Sequence, residues 1–197
     1  EPLGKNDVYE SKKPSPIVPN FYGIYKKDNY AIFVGAGLIA GGGSVDYKDG
    51  VPAMILAGLD PDLPTLLAFQ NGNLKGSSLY YFGSAGGSYA VNETLSVSLT
   101  ARFVYAEKTF KGKANYVMPY NGNTPTSLEV DAEKTAKGIG GIIGVTYKRD
   151  AMILAARFET PTRLNFKTKV HDNKTFNIFE DGSKQRYDLP AMIGLGG

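Results

Sequence analysis

The chain alternates between apolar and polar side chains along Thr94-Leu95-Ser96-Val97-Ser98-Leu99-Thr100-Ala101-Arg102-Phe103-Val104-Tyr105. A period of two places the apolar side chains on one face of a β-strand and most of the polar ones on the other. Strands in globular proteins usually run about five or six residues, so a strand of roughly twice that length needs a reason. A bilayer supplies one, because a tilted transmembrane strand needs about 9–11 residues. The stretch therefore predicts a membrane-spanning strand whose apolar face meets lipid and whose polar face lines a lumen.

The composition is typical of an all-β chain and argues against several other classes. The 197 residues include 24 Gly, 13 Tyr and 10 Phe but neither Cys nor Trp, which excludes disulfides and thiolate metal sites. The sequence has no run of about 18 apolar residues, so we expect no transmembrane helix. Lys and Arg are scattered and the net charge is only +3, so we expect no nucleic-acid surface. His171 is the only histidine and has no partner at catalytic or metal spacing, so we expect no enzyme activity, cofactor or metal.

Seven strands are predicted, and the connections between them alternate in length. The strands cover about 17–26, 30–40, 79–91, 94–110, 128–148, 151–170 and 185 onward. Short connections at 27–29, 92–93 and 149–150 alternate with long ones at 41–78, 111–127 and 171–184. Outer-membrane barrels sort their connections in this way, with short periplasmic turns and long extracellular loops. Tyr25, Tyr30, Tyr89 and Tyr147 lie near the short turns, which indicates an aromatic girdle or the ordinary enrichment of Tyr in strands.

The longest connection, 44–78, is predicted to be an extracellular loop with one or two short apolar helices. Asp60 and Pro61 are typical of the start of a helix. The apolar residues form either a groove for a hydrophobic ligand or a surface buried against neighbouring loops. They are Met54, Ile55, Leu56, Leu59, Leu66, Leu67 and Phe69.

Five stretches make the chain resemble the FadL/TodX family (OMPP1-type) of outer-membrane transporters for hydrophobic compounds. They are 19–25 (PNFYGIY), the glycines of 35–43, the hairpin 87–105, 137–144 (KGIGGIIG) followed by 157–162 (RFETPT), and 189–191 (LPA). The resemblance implies a fourteen-stranded antiparallel β-barrel in the outer membrane of a Gram-negative cell. About seven of those strands lie in residues 1–197. Neither the family's N-terminal hatch nor its C-terminal strands are found in this sequence, so we expect other segments or chains to close the barrel.

The function implied by the resemblance is passive uptake of long-chain fatty acids or aromatic hydrocarbons. The loop residues would capture the ligand and pass it to inward-facing Phe33, Ile39, Tyr80 and Phe82. If 30–43 matches the family strand whose kink forms a lateral gate, Gly35, Gly37 and Gly41 supply the bend, and otherwise these glycines merely relieve crowding. The expected partners are the hydrophobic ligand, outer-membrane lipid and lipopolysaccharide.

Four charged residues are predicted on the polar faces: Arg102, Arg157, Glu159 and Arg163. We expect them to pair across the lumen, with a ligand carboxylate at Arg102 or Arg157 as the alternative. Two other functions remain open on the sequence: a barrel that anchors or docks an outer-membrane assembly, and a soluble all-β binding domain.

Overall fold

A computed structural model describes residues 10–11, 13, 17–58, 67–118, 124–174 and 179–197 of the chain. The described residues form an antiparallel β-sheet with one short helix, which confirms the predicted all-β class. The strands are β1 (Asn20–Lys27), β2 (Tyr30–Tyr47), β3 (Ala68–Ala90), β4 (Leu95–Met118), β5 (Thr124–Arg149), β6 (Met152–Glu159), β7 (Asn165–Lys174), β8 (Lys184–Arg186) and β9 (Met192–Gly196). The helix α1 covers Pro52–Gly58 and begins with a proline, whose missing N–H has no helical partner to lose. No helix among these residues is long and apolar enough to cross a membrane.

The strands follow one another as a meander from β1 to β6, and β9 lies on the far edge. β6 and β7 pair with successive stretches of β5, while β9 and β8 pair with β6 and β7. β6 and β7 therefore occupy one position in the sheet as an interrupted strand, and β9 and β8 occupy the next. Counted in this way the sheet has seven strand positions, and all seven predicted strands are present. The interruption falls at Thr160 and Pro161, where proline cannot donate a ladder hydrogen bond.

The central strands are much longer than predicted. Residues 44–47 belong to β2 and 68–78 to β3, so the expected 44–78 loop is strand at both ends. β4 continues to Met118 and β5 starts at Thr124, so most of the expected 111–127 loop is a hairpin. The sequence misled here because charged side chains alternate with Gly and Ala, which resembles a solvated loop. Residues 59–66, with the Asp60–Pro61 helix start, lie outside the described residues.

The sheet curls so that one face is concave and the other convex. Concave side chains from distant strands meet, as in the edge-on contact of Tyr80 on β3 with Phe166 on β7, whose ring centroids are 6.2 Å apart. The tight turns after β1, β3 and β5 lie at one end of the sheet, which we call the turn end. The long hairpins and α1 lie at the other, the hairpin end. Among the described residues the edge strands β1 and β9 do not pair with each other, so the sheet is open.

Two apolar clusters lie on the concave face. The first, which we call the apolar layer, consists of Val104, Ala106, Ala136, Leu164 and Phe166, with Ile39, Tyr80, Phe82 and Leu189 packed against it. The second lies nearer the hairpin end and consists of Leu67, Ala114 and Tyr116, with Met54, Phe69 and Leu128 packed against it. Helix α1 is held there by a hydrogen bond from the Tyr116 hydroxyl to the Met54 carbonyl oxygen at 2.7 Å.

Candidate functional site

β4 buries its polar side chains and exposes its apolar ones in the half nearer the turn end. Thr100 and Arg102 face the concave side and are only 9% and 5% exposed. Leu99 and Phe103 face the convex side and are 65% and 46% exposed. A sheet that packs an apolar core beneath a solvated face has the opposite arrangement.

The exposed apolar side chains continue across the neighbouring strands because directly paired residues share a face. Leu99, for example, lies between Gly87 on β3 and Ile143 on β5. We call this convex surface the apolar band. Its exposed members are Ile32, Val34, Val97, Leu99, Phe103, Ile139, Ile143, Val145, Leu154, Phe158, Ile193 and Leu195.

Tyrosines border the apolar band at both ends. At the turn end, Tyr30 and Tyr89 are directly paired and exposed on the convex face. Towards the hairpin end, the rings of Tyr81 and Tyr105 stack with centroids 6.4 Å apart. The band therefore has an amphipathic side chain at each border, apolar along the ring and polar at the hydroxyl.

Both faces of the sheet change polarity at the second border. On the convex face, the charged residues Lys111 and Asp131 follow, paired at 2.7 Å and part of an exposed ladder. On the concave face, buried Val104 and Ala106 follow the polar residues Thr100 and Arg102. The outside thus changes from apolar to charged where the inside changes from polar to apolar.

Three of the four predicted lumen charges come together on the concave face. Arg102 Nη1 donates to Glu159 Oε2 at 2.7 Å, and Arg157 donates to the other carboxylate oxygen. Arg102 and Glu159 are buried, and Arg102 Nε has no partner among the described residues. These three side chains therefore form a charge cluster along one wall of the sheet, on β4 and β6, and their pairing across a lumen stays a prediction.

The fourth charge, Arg163, lies on the opposite face, so its predicted position is wrong. It is exposed, while its neighbours Thr162 and Leu164 are buried on the concave side. The alternation of concave and convex side chains shifts by one residue across Thr160 and Pro161, and the sequence pattern alone does not reveal this shift. A one-residue shift moves every later side chain to the other face.

The four residues predicted to pass a ligand inward all face the concave side. Phe33, Ile39 and Phe82 line a cavity of about 550 Å³ together with Arg102 and Arg157. Tyr80 packs against the apolar layer immediately above it. The concave face therefore presents an apolar wall beside a cationic and polar one.

The predicted loop groove is largely filled by the chain's own packing. Ile55 and Leu67 are buried, while Met54 and Phe69 pack against the second apolar cluster. Only Leu56 among the described groove residues is exposed, and Leu59 and Leu66 lie outside the described residues. This arrangement matches the second interpretation of the loop, burial against its neighbours.

The wall of the sheet is irregular between Leu38 and Gly43. The β2–β3 register shifts between Leu38 and Ala40 and again between Ala40 and Gly43. Gly41 has a φ of 122°, and a Cβ there would lie 2.2 Å from the Ser78 carbonyl oxygen. We call this feature the wall break.

Gly35 and Gly37 keep the regular register and leave room for side chains on β1. A Cβ at Gly35 would lie 2.9 Å from the Tyr22 ring. At Gly37 it would overlap the side chain of Asn20. Gly35 and Gly37 therefore fit the interpretation that glycines relieve crowding in the wall, whereas Gly41 lies in the wall break.

A second cavity, which we call the lysine cavity, lies above the apolar layer and beside the wall break. Its volume is about 400 Å³, and Lys108 and Lys134 line it with Val45, Phe110, Ala132 and Phe179. The Lys108 ammonium lies 4.9 Å and 4.8 Å from the ring centroids of Phe166 and Tyr187. The Lys134 Nζ donates to Gln185 Oε1 at 2.7 Å. Burial lowers the pKa of Lys134, and the Lys108 ammonium lowers it further.

Sequence reasoning missed the lysine cavity. The available signal was the alternation in β4, which continues inward from Arg102 through Val104 and Ala106 to Lys108. The described residues contain no group of three or more His, Asp or Glu side chains able to hold a metal ion.

No protein-family model matches the chain, and no curated protein or solved structure is similar enough to place it in a family.

Proposed function

We propose that the chain forms part of an outer-membrane β-barrel that takes up hydrophobic small molecules passively. The observation that carries the proposal is the change of polarity on both faces of the sheet at the same level. A bilayer accounts for the apolar band outside polar, buried side chains. Water beyond the headgroups accounts for the charged side chains, such as Lys111 and Asp131, on the convex face at the level where apolar side chains line the concave face.

The dimensions of the apolar band support this placement in a bilayer. From Leu95 to Tyr105 a strand rises roughly 34 Å at about 3.4 Å per residue. A tilt of about 40° reduces that to roughly 26 Å across the membrane, close to the band of about 25 Å on outer-membrane barrels. The tyrosines at both borders would then lie at the headgroups. The turn end would face the periplasm and the hairpin end the exterior.

The open edges of the sheet set a requirement for the proposal. Unpaired backbone groups on β1 and β9 would face hydrocarbon, where nothing satisfies them. Further strands must therefore pair with both edges to close the barrel. A fourteen-stranded barrel of the FadL type meets this requirement.

The proposed path for the ligand begins in the lysine cavity and ends at the wall break. Ile39 and Tyr80 lie in the apolar layer beside the break, and Gly43 lines the cavity on its other side. Each buried CH₂ contributes about 0.8 kcal/mol, so an alkyl chain binds without specific polar contacts. The irregular β2–β3 pairing at the wall break would be the exit, at the level of the headgroups next to Tyr81 and Tyr105.

The alternative role as a docking subunit has less support. It needs a flat apolar surface in the longest connection, and Ile55 and Leu67 are instead buried within the chain. An uptake channel needs instead a cavity on the concave face, such as the lysine cavity.

Two measurements test the proposal. A purified outer-membrane fraction run with and without boiling should give a band that shifts on a denaturing gel, because closed membrane barrels resist the detergent until heated. Cells that lack other uptake routes should take up radiolabelled dodecanol faster when they carry the gene. A soluble protein with no heat-dependent shift would contradict the barrel, and unchanged uptake would contradict the transport role.

A further inference from the structure

Three lysines lie together on the convex face of β5, β7 and β8, where the apolar band ends. Lys137 pairs directly with the border residue Tyr105, so it lies at the level of the border. Lys167 pairs with Thr135, which is two residues nearer the hairpin end on β5, and Lys184 pairs directly with Lys167. Paired residues share a face, so all three lysines are on the convex side with Tyr105. We call Lys137, Lys167 and Lys184 the border lysines.

The border lysines form a local excess of positive charge. Like charges placed directly opposite each other, as in Lys167 and Lys184, are destabilising. All three side chains are exposed, and none forms an ion pair with another described residue. Glu107, in the same row on β4, is separated from Lys167 by Thr135 and accepts from the Tyr105 hydroxyl at 3.4 Å.

Two arginines lie on the same face beside the border lysines. Arg186 is two residues beyond Lys184 on β8, and its charge is paired with the Asp188 carboxylate. Arg163 is exposed on the convex side of the segment between β6 and β7. The pair of Arg186 with Asp188 is neutral overall, so the excess charge belongs to the border lysines and Arg163.

The lysines on β3 and β4 are arranged differently. Lys75 lies 3.6 Å from a carboxylate oxygen of Asp46, and Lys111 lies 2.7 Å from one of Asp131. On that part of the convex face, cations and carboxylates therefore neutralise each other. The β5–β8 part has cations that are available to an anion from outside the chain.

The proposed placement in the membrane identifies the anions that these cations would meet. The border at Tyr105 lies at the headgroups on the exterior side, where clustered lysines attract anionic lipid. The exterior leaflet of a Gram-negative outer membrane consists of lipopolysaccharide, whose lipid A part carries two phosphates on a disaccharide. Lysine is a common phosphate ligand, and two phosphates match several clustered cations better than the single phosphate of a phospholipid does.

We infer that the border lysines bind the phosphates of one lipopolysaccharide molecule on the outer wall of the sheet, with its acyl chains along the apolar band. Ile139 lies two residues from Lys137 on the same face and is 74% exposed, so it offers the acyl chains an apolar contact. Fixed ammonium groups would take the place of the divalent cations that otherwise bridge phosphates. The inference rests on the proposed function, because only an exterior hairpin end brings the border lysines to this leaflet.

The test is native mass spectrometry of the intact protein in a neutral maltoside detergent with lipid A. EDTA is present so that no divalent cation can bridge phosphates to carboxylates of the protein. Bisphosphorylated lipid A should bind at least about tenfold more tightly than lipid A with both phosphates removed, because contacts between charged groups are the stronger ones. Both ligands have the same acyl chains, so the apolar contribution cancels. Lys137→Gln/Lys167→Gln/Lys184→Gln should reduce the difference to less than about twofold.

Two further variants serve as controls. Lys75→Gln/Lys111→Gln/Lys113→Gln removes the same charge from β3 and β4 and should keep the preference for phosphorylated lipid A. Arginine in place of each border lysine keeps the charge and should also retain the preference, which separates loss of charge from loss of fold. The far-ultraviolet circular dichroism spectrum checks that each variant is folded.

The inference would be overturned if lipid A bound equally well without its phosphates, or if the glutamine variant kept the preference. Phosphatidylglycerol that bound as tightly as bisphosphorylated lipid A would overturn the assignment to lipopolysaccharide. A heat-dependent gel shift and normal uptake without any phosphate preference would remove this site alone. A lysine-dependent preference in a protein without a heat-dependent shift would overturn the barrel and keep the phosphate site.

Discussion

Arg102 and Glu159 show how a buried charge pair is tolerated on the concave face. Their ion pair is 2.7 Å long and almost fully buried, and Arg157 contacts the same carboxylate. Removing one partner of such a pair leaves a buried charge without compensation. The pair therefore fixes β4 against β6 more strongly than an exposed ion pair would.

Glu159→Gln should lower the free energy of unfolding by about 3–5 kcal/mol, because Arg102 then keeps its charge without a carboxylate. Arg163→Gln, on the opposite and exposed face, should change it by less than about 0.5 kcal/mol. Urea unfolding of the refolded protein in lipid vesicles measures both. Equal effects would mean that the assignment of these two residues to opposite faces is wrong.

Leu99 tests the apolar band at a single position. Leu99→Arg should cost about 2–4 kcal/mol in vesicles, the penalty for Arg near the bilayer midplane of a barrel. Thr109→Arg, on the same face of β4 but beyond Tyr105, should cost about 0–1 kcal/mol. The same unfolding assay in vesicles measures both variants. If Leu99→Arg lowered the free energy of unfolding no more than Thr109→Arg does, this surface would not meet lipid.

Among the elements, β2 depends on a glycine whose backbone no other residue adopts easily. Gly41→Ala should lower the free energy of unfolding by at least about 1–3 kcal/mol, because φ is 122° and the new Cβ would collide with the Ser78 carbonyl. Gly83→Ala is the matched control, since a Cβ there meets nothing within 4 Å. If Gly41→Ala left the free energy of unfolding unchanged, the backbone described for the wall break would be contradicted.

The connection between β8 and β9 is tied to the chain before β7 by Asp188. Its carboxylate accepts from the Leu164 N–H at 3.1 Å and from Arg186 Nε at 2.8 Å. The Arg186 hydrogen bond holds the pKa of Asp188 below its usual value, with smaller contributions from Leu164 and nearby arginines. The deprotonated form therefore holds this connection in place.

The stabilising effect of Asp188 should depend on pH with a definite sign. Because its folded pKa lies below the unfolded value of about 3.9, the contribution is full above that pH and is lost as pH falls through the folded pKa. Asp188→Asn should therefore lower the melting temperature at pH 6, and the difference from the unmodified protein should shrink as the pH falls below about 3.9. A difference that stayed constant down to pH 2 would show that the charge is not responsible.

The elements differ in how far the sequence predicts them. The period of two in 94–105 was enough to predict β4 and its two faces, because periodicity reports local geometry directly. The extensions of β2 to β5 towards the hairpin end were not predicted. Their charged convex residues alternate with small concave ones, and that pattern resembles the sequence of a loop. The change of face after Glu159 and the approach of Lys108 to Lys134 depend on register and long-range pairing, which the composition does not encode.

In the whole molecule, polarity changes in layers perpendicular to the strands. Polar side chains lie inside the apolar band, and side chains that are apolar apart from Lys108 and Lys134 lie inside the charged convex surface of Lys111 and Asp131. The site residues follow these layers, with Arg102 and Glu159 below the apolar layer and Lys108 and Lys134 above it. A bilayer around the lower layer explains why the arrangement reverses where it does.

The most direct test of that account is a spin-label scan of β4, which is simple because the chain has no cysteine. Single cysteines at Leu99, Phe103, Lys111 and Lys113 would carry nitroxides on the convex face of the protein in lipid vesicles. A membrane-spanning sheet predicts frequent collisions with lipid-soluble oxygen and few with a water-soluble nickel chelate at Leu99 and Phe103. The reverse is expected at Lys111 and Lys113. Nickel accessibility at Leu99 and Phe103 as high as at Lys111 would contradict a membrane-spanning sheet.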